Sequence, residues 1–254
     1  MRGRILVLGG DGMLGEAVRA SAKMAGYEVW SSGSQHDVAN YIAMKRLNHA
    51  FGPHVVVNCA GVIPTRSTWP IAAIRTNALG PWVVNAVFTA SRVVNVSTDC
   101  VFNGSDRQPY LHTQLPNATD LYGRTKAMGE ATGCVNVRCS FIGLRHGLLA
   151  WLLSQPAGAI IDGWANALWS GGTVYDVADA LVDQMLDVDP GTYHLADDRA
   201  VSKYGVLCRL VELFDLDIEV RPQHEPYINR ALHPTHHLER RLERLVERRF
   251  AHAS

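Results

Sequence analysis

Apolar residues in this chain fall into short unbroken runs, and the segments between them carry helical spacing. Ile5-Leu6-Val7-Leu8 reads as a strand buried on both faces, the state of a central parallel strand. Leu14, Val18, Ala22 and Ala25 follow it at helical spacing. Further strands are expected at residues 28–30, 54–58, 92–96 and 134–138, and helices at 41–50, 71–90 and 122–131. Asp37-Val38 opens the first of these helices, where the aspartate can cap it or reach an adenine. Gly80-Pro81 should kink the second. Strand and helix alternate throughout, which predicts an α/β fold with a doubly wound parallel sheet and right-handed crossovers.

Beyond residue 139 the pattern loosens. Helices are expected near 146–153, 177–186 and 203–214, with strands at 192–195 and 218–220 and an irregular stretch rich in Gly and Trp at 158–172. In the tail, Leu238, Leu242, Leu245 and Val246 predict one helix over 236–249, lying on the body or meeting a partner helix. Residues 1–140 therefore read as one domain. Residues 141–254 read as a smaller carboxyl-terminal α/β lobe, interleaved with the first.

The first strand runs into Gly9-Gly10-Asp11-Gly12-Met13-Leu14-Gly15. Residues without Cβ stand where strand turns into helix and where backbone must approach a pyrophosphate. The free N–H groups of the helix start, with its dipole, suit an anion. In a chain with 22 glycines the spacing alone is weak, and an ordinary glycine turn is the alternative. Placed between strand and helix, it predicts a dinucleotide site. The second strand ends in Ser31-Ser32, where an NAD site often carries an acid for the ribose hydroxyls. Serines leave room for a 2′-phosphate, although no arginine sits in that loop, so NADPH is favoured over NADH.

Tyr122 and Lys126 stand one helical turn apart on one face. A free tyrosine has a pKa of about 10, and a nearby ammonium stabilises its phenolate. Such a pair can serve as general acid or base in a carbonyl–alcohol interconversion. Tyr41 and Lys45 share the spacing, but on a crossover helix outside the sheet, where amphipathic packing explains them. Tyr122 instead opens a helix after the strand that ends in Ser97-Thr98, whose hydroxyls can reach the same carbonyl oxygen.

Acidic and basic residues number 24 each, so the chain has no general electrostatic affinity for nucleic acid or membranes. Its five cysteines form no C-x-x-C pair. Met-Arg-Gly-Arg runs straight into the first strand, leaving no room for a signal peptide, and no apolar run is long enough to span a bilayer. A soluble, reduced, cytoplasmic protein is expected. His233, His236 and His237 lack a Cys or carboxylate cluster, so surface histidines are favoured over a metal site. Trp151, Trp164 and Trp169 suit core packing better than sugar stacking, and Arg221, Asn229 and Arg230 suit either a diphosphate or solvent.

The chain resembles extended short-chain dehydrogenases/reductases, and among them the dTDP-4-dehydrorhamnose reductase branch. The resemblance rests on the glycine turn, Asn58-Cys59-Ala60-Gly61, Asn77-Ala78-Leu79-Gly80-Pro81, Ser97-Thr98-Asp99-Cys100-Val101-Phe102-Asn103-Gly104 and Tyr122-Gly123-Arg124-Thr125-Lys126. Weaker echoes lie at 173–178 and 191–195. It implies a Rossmann-type sheet and NAD(P)H-dependent reduction of the 4-keto group of a nucleotide-linked deoxy sugar. Thr98 would hydrogen-bond the keto oxygen, Tyr122 would donate the proton, and Lys126 would lower the tyrosine pKa and bind the nicotinamide ribose. Gly9, Gly10, Asp11, Gly12, Met13, Leu14, Ser31, Ser32, Asp37, Val38, Cys59, Ala60, Gly61 and Asn77 would line the cofactor. Thr98, Asp99, Val101, Phe102, Phe141 and Arg230 would face the substrate.

Phe141 stands where the family carries a tryptophan, and Cys100 where it carries a tyrosine. The carboxyl end is also short, so the sugar stays open. Such reductases are often homodimers. An epimerase or dehydratase of the same fold is the enzymatic rival, although Asp99 is the only carboxylate beside Thr98 and Tyr122. A cofactor-binding regulatory subunit that has lost turnover is the other.

Overall fold

A computed structural model describes residues 2–63 and 69–251. The chain runs β1 (Arg4–Leu8), α1 (Met13–Met24), β2 (Glu28–Ser32), α2 (Tyr41–Phe51), β3 (Val55–Asn58), α3 (Trp69–Ala73), a π-helical turn (Ile74–Leu79), α4 (Gly80–Val87) and β4 (Arg92–Thr98). After a loop come α5 (Leu121–Met128), β5 (Val135–Cys139), β6 (Phe141–Ile142), α6 (Leu148–Leu153), β7 (Ala159–Trp164), β8 (Ala167–Trp169), β9 (Gly172–Thr173) and α7 (Val174–Gln184). The last part holds β10 (Gly191–Ala196), β11 (Val201–Ser202), α8 (Lys203–Leu213), β12 (Ile218–Gln223), β13 (Ile228–Asn229), β14 (His236–His237) and α9 (Glu243–Ala251).

Among the described residues, seven strands form a parallel sheet in the order β14-β10-β5-β4-β3-β1-β2. Strand alternation sends Ile5 and Val7 to one face, where α1 and α7 pack, and Leu6 and Leu8 to the other, where α2 and α4 pack. Both faces are thus covered and the sheet is doubly wound. β2 and β3 flank β1 on opposite sides, so the chain reverses its strand order at the carboxyl end of β1. That crevice is where open α/β sheets bind ligands.

The carboxyl-terminal part is not separate from this sheet, because β10 and β14 extend it and α7 packs on α1. A second core joins α6, α8 and the tail through Leu149, Leu152, Trp169, Leu210 and Leu245. Strands replace the irregularity expected at 158–172: β7 pairs with β12, and β8 with β11 and β13. In β7, Ile161 and Gly163 are buried while Ile160, Asp162 and Trp164 are exposed, a period of two that the glycine content masks in the sequence.

Two helices differ from expectation. The helix expected over 71–90 spans 69–87 and takes a π-helical turn at Ile74–Leu79. That turn lies immediately before Gly80-Pro81, which is where the ladder accommodates a proline without an N–H. The tail helix begins only at Glu243, and His236–His237 is a strand. The backbone N–H of Leu238 goes to Ala196 O, that of Arg240 to Asp197 Oδ2 at 3.0 Å, and that of Arg241 to Asp176 Oδ2 at 3.0 Å. With these donors committed to the body of the protein, the residues before Glu243 do not coil.

Candidate active site

The glycine turn sits at the strand reversal. Gly9 has φ 72°, and a Cβ there would lie 2.7 Å from Ala60 N, so the turn after β1 rests directly on the segment after β3. At Gly15 a Cβ would lie 2.2 Å from Gly9 O, which lets α1 approach β1. Gly10 N–H donates to Ser32 O at 3.0 Å and ties the turn to the end of β2. Gly9–Gly12, Met13, Leu14, Ser31, Ser32 and Cys59-Ala60-Gly61 therefore converge at one end of the sheet.

Asp37 does not cap α2. Asn40 does, accepting from Ala43 N–H at 3.1 Å. Asp37 instead accepts from Ala39 N–H and pairs with Arg75 of the π-helical turn. Burial raises its pKa, but these two partners outweigh that and hold it below the usual carboxylate value. Val38 is buried behind Gly80. Asn77, also in the π-helical turn, clamps Val62 by accepting from its N–H at 2.8 Å and donating to its carbonyl at 2.9 Å.

On the β4 side, Asp120 caps α5 by accepting from Gly123 N–H at 2.9 Å. A Cβ at Gly123 would stand 2.1 Å from Cys100 O, so the first turn of α5 lies on the end of β4. This brings Tyr122 beside Thr98, close enough for the hydroxyl to act on the phenol's pKa. Thr98 Oγ1 also donates to Asp99 Oδ1 at 3.0 Å and accepts from Cys100 N–H at 3.2 Å. Lys126, one turn further and buried, donates to Val96 O at 2.6 Å.

The expected lowering of the Tyr122 pKa is corrected. Burial first, then the neighbouring Cys100, push it above its ordinary value, and the Thr98 hydroxyl only partly offsets them. Burial also lowers the Lys126 pKa, against the attraction of Cys139 and Glu130. Asp99 is raised by burial, with the Arg230 charge pulling the other way. Arg230 donates to Cys100 Sγ at 3.3 Å and lies 3.8 Å from Asp120, and its buried Nε has no partner among the described residues.

Val101 and Phe102 lie behind the end of β4 in the core. Both are fully buried, and Phe102 stacks on Tyr110 at 4.0 Å with the Arg138 guanidinium 5.0 Å from its ring. Phe141 is half-buried against the sheet core. Trp169 is buried and donates to Ser140 Oγ at 2.8 Å, whereas Trp151 and Trp164 are exposed. No metal-holding group occurs among the described residues, and His237 pairs with Asp198.

A polar network beneath the site was not read from the sequence. Asn58, Asn95 and Asn136 stand in register on β3, β4 and β5, each donating to the next or to the end of α5. Asn58 reaches Asn95 at 3.1 Å, Asn95 reaches Asn136 at 3.1 Å and Gly129 O at 3.0 Å, and Asn136 reaches Ala131 O at 2.9 Å. Two residues on, Arg138 pairs with Glu130 at 2.7 Å, and Glu130 also accepts from Ser97 at 2.7 Å. The available signal was an asparagine inside each of three apolar strands, a buried polar group that must find partners.

The glycine turn at the strand reversal of a parallel sheet covered on both faces defines a Rossmann-like doubly wound α/β protein. Residues 2–155 match the RmlD substrate binding domain family, and the chain belongs to it. It is 26% identical over 249 residues to methionine adenosyltransferase 2 subunit beta of Rattus norvegicus, spanning 84% of this chain and 72% of that protein. It is 27% identical over 215 residues to dTDP-4-keto-6-deoxy-D-glucose reductase of Streptomyces niveus, spanning 76% and 73%. In fold it is similar to the crystal structure of a dTDP-4-dehydrorhamnose reductase from Clostridium acetobutylicum, with a TM-score of 0.82, 22% identity and coverage of 98% and 99%.

Proposed function

We propose that this chain reduces the 4-keto group of a nucleotide-linked deoxy sugar with NADPH or NADH. The observation that carries the reading is the placement of Tyr122 beside Thr98 at the carboxyl end of β4, with Lys126 buried one turn behind it. The glycine turn is packed so closely at Gly9 and Gly15 that Cβ atoms would strike backbone. It brings the uncapped start of α1 to the carboxyl end of β1, a setting that suits a dinucleotide pyrophosphate. When bound, the dinucleotide supplies the hydride.

The protein supplies orientation and a proton. Thr98 and Tyr122 hydroxyls would meet the keto oxygen. For Thr98 this means turning its proton away from Asp99. A phenol kept protonated by burial suits an acid that acts only when an alkoxide, a far stronger base than phenolate, develops beside it. Lys126 would then stabilise the phenolate left behind, and Asn77 would hold the wall of the pocket through Val62. Arg230, with its unpartnered Nε, would meet the substrate's anionic part.

A second reading is favoured by the similarity to a methionine adenosyltransferase subunit: a cofactor-binding subunit without turnover. Incubation with a dTDP-4-keto-6-deoxy sugar and NADPH or NADH deuterated at C4 of the reduced nicotinamide ring separates the two. Deuterium on the sugar's C4 with stoichiometric cofactor oxidation supports the reductase. A changed sugar without net oxidation favours an epimerase or dehydratase, and bound cofactor with an unchanged sugar favours the subunit.

A further inference from the structure

We propose that Arg19, reaching from α1 to the end of β2, makes the adenosine end of the cofactor site selective for a 2′-phosphate, and so for NADPH over NADH. The inference rests on the cofactor reading above.

Arg19 supplies what the loop after β2 lacks. A Cβ built on Gly10 would stand 2.6 Å from Ser31 Cβ and 3.3 Å from Arg19 Cδ, so the three residues meet at the mouth of the β1–β2 crevice. Arg19 Nη1 donates to Gly10 O at 3.2 Å. A guanidinium carries five N–H donors, so this bond leaves most of them for a ligand. Among the described residues Arg19 forms no ion pair, in contrast to Arg145 and Arg75 nearby, whose charges are matched by Glu16 and Asp37. A half-buried arginine with an unmatched charge, beside an exposed serine hydroxyl, suits a phosphate dianion held by charge-assisted hydrogen bonds.

The acids that would hold ribose hydroxyls are elsewhere or engaged. Residues 31–36 contain none. Ser32 is buried and shares a hydrogen bond of 2.9 Å with His36, and Asp37 is committed to Arg75 and Ala39. Asp11 alone brings a carboxylate against Gly33, where it would oppose a second anion. The preference is therefore a balance in which Arg19 favours the 2′-phosphate and Asp11 disfavours it.

Calorimetric titration of the purified chain tests this with two pairs of ligands, NADPH against NADH and 2′,5′-ADP against 5′-AMP. Wild type is expected to bind the 2′-phosphorylated member of each pair more tightly. Arg19→Met keeps the stem that packs on Gly10 and Ser31. It is expected to lower the NADPH/NADH affinity ratio by about tenfold or more, the loss of a charge-assisted bond. Asp11→Asn is expected to raise the ratio. The inference is overturned if wild type prefers NADH, or if Arg19→Met leaves the ratio unchanged or weakens both dinucleotides by one factor. That last result would make Arg19 a brace for the glycine turn. Binding of neither dinucleotide by wild type overturns the cofactor reading itself.

Discussion

Lys126 of α5 donates its ammonium to the carbonyl oxygen of Val96 in β4, 2.6 Å away. The bond fixes a buried charge directly behind the Thr98–Tyr122 pair, because Val96 and Thr98 are two residues apart on one strand. Lys126→Met keeps the length of the side chain and removes the charge. Turnover is expected to fall by about 10² to 10⁴, the usual span for a general acid–base contribution. Steady-state kcat, with circular dichroism to confirm the fold, checks it; an unchanged kcat would remove Lys126 from the chemistry.

The buried pair of Arg138 and Glu130 anchors the chain just past α5 to β5. Glu130→Gln would leave the Arg138 charge without its partner, at a cost of about 3–5 kcal/mol. Adding Arg138→Met should restore much of the loss. Urea denaturation at neutral pH measures both. A loss that the double variant does not relieve would mean that the charges are not paired.

His194 lies between the Arg138 guanidinium and the carbonyl of His233. Burial, then the charge of Arg138, push its pKa down to about 3. In the unfolded chain the value returns to about 6.5. Between those limits the unfolded state holds a proton that the folded state refuses. Stability contributed by neutral His194 is therefore complete above pH 6.5 and is lost as pH falls towards 3, at up to about 1.4 kcal/mol per pH unit. His194→Gln should flatten this acid slope, read as the difference between wild-type and variant urea midpoints at several pH values. Parallel slopes would show that His194 titrates normally.

The residues that were legible in the sequence are those whose role is set locally. Ile5 to Leu8 had to be a buried strand, and the glycines after it a tight turn. Position also separated the two Tyr–Lys pairs: Tyr41 is exposed with the Lys45 ammonium 5.0 Å from its ring, while Lys126 is buried under β4. What escaped depends on partners far away in the chain. Asp176 and Asp197 capture the backbone before α9, which leucine spacing alone could not foretell. The Tyr122 pKa follows from burial among Cys100, Asp99 and Cys139 rather than from its helical spacing to Lys126. Arg19 was overlooked because it lies outside the loop after β2, and the fold brings it to Gly10 from α1.

The most direct test is NADPH oxidation, followed by absorbance with a dTDP-4-keto-6-deoxy sugar, in wild type and Tyr122→Phe. The variant loses only a hydroxyl, so the helix and the glycine turn should persist and the cofactor should still bind. Wild type is expected to oxidise NADPH in step with sugar reduction, and the variant to lose about 10² or more in kcat. Equal rates in the two proteins would contradict the account by placing the proton donor elsewhere.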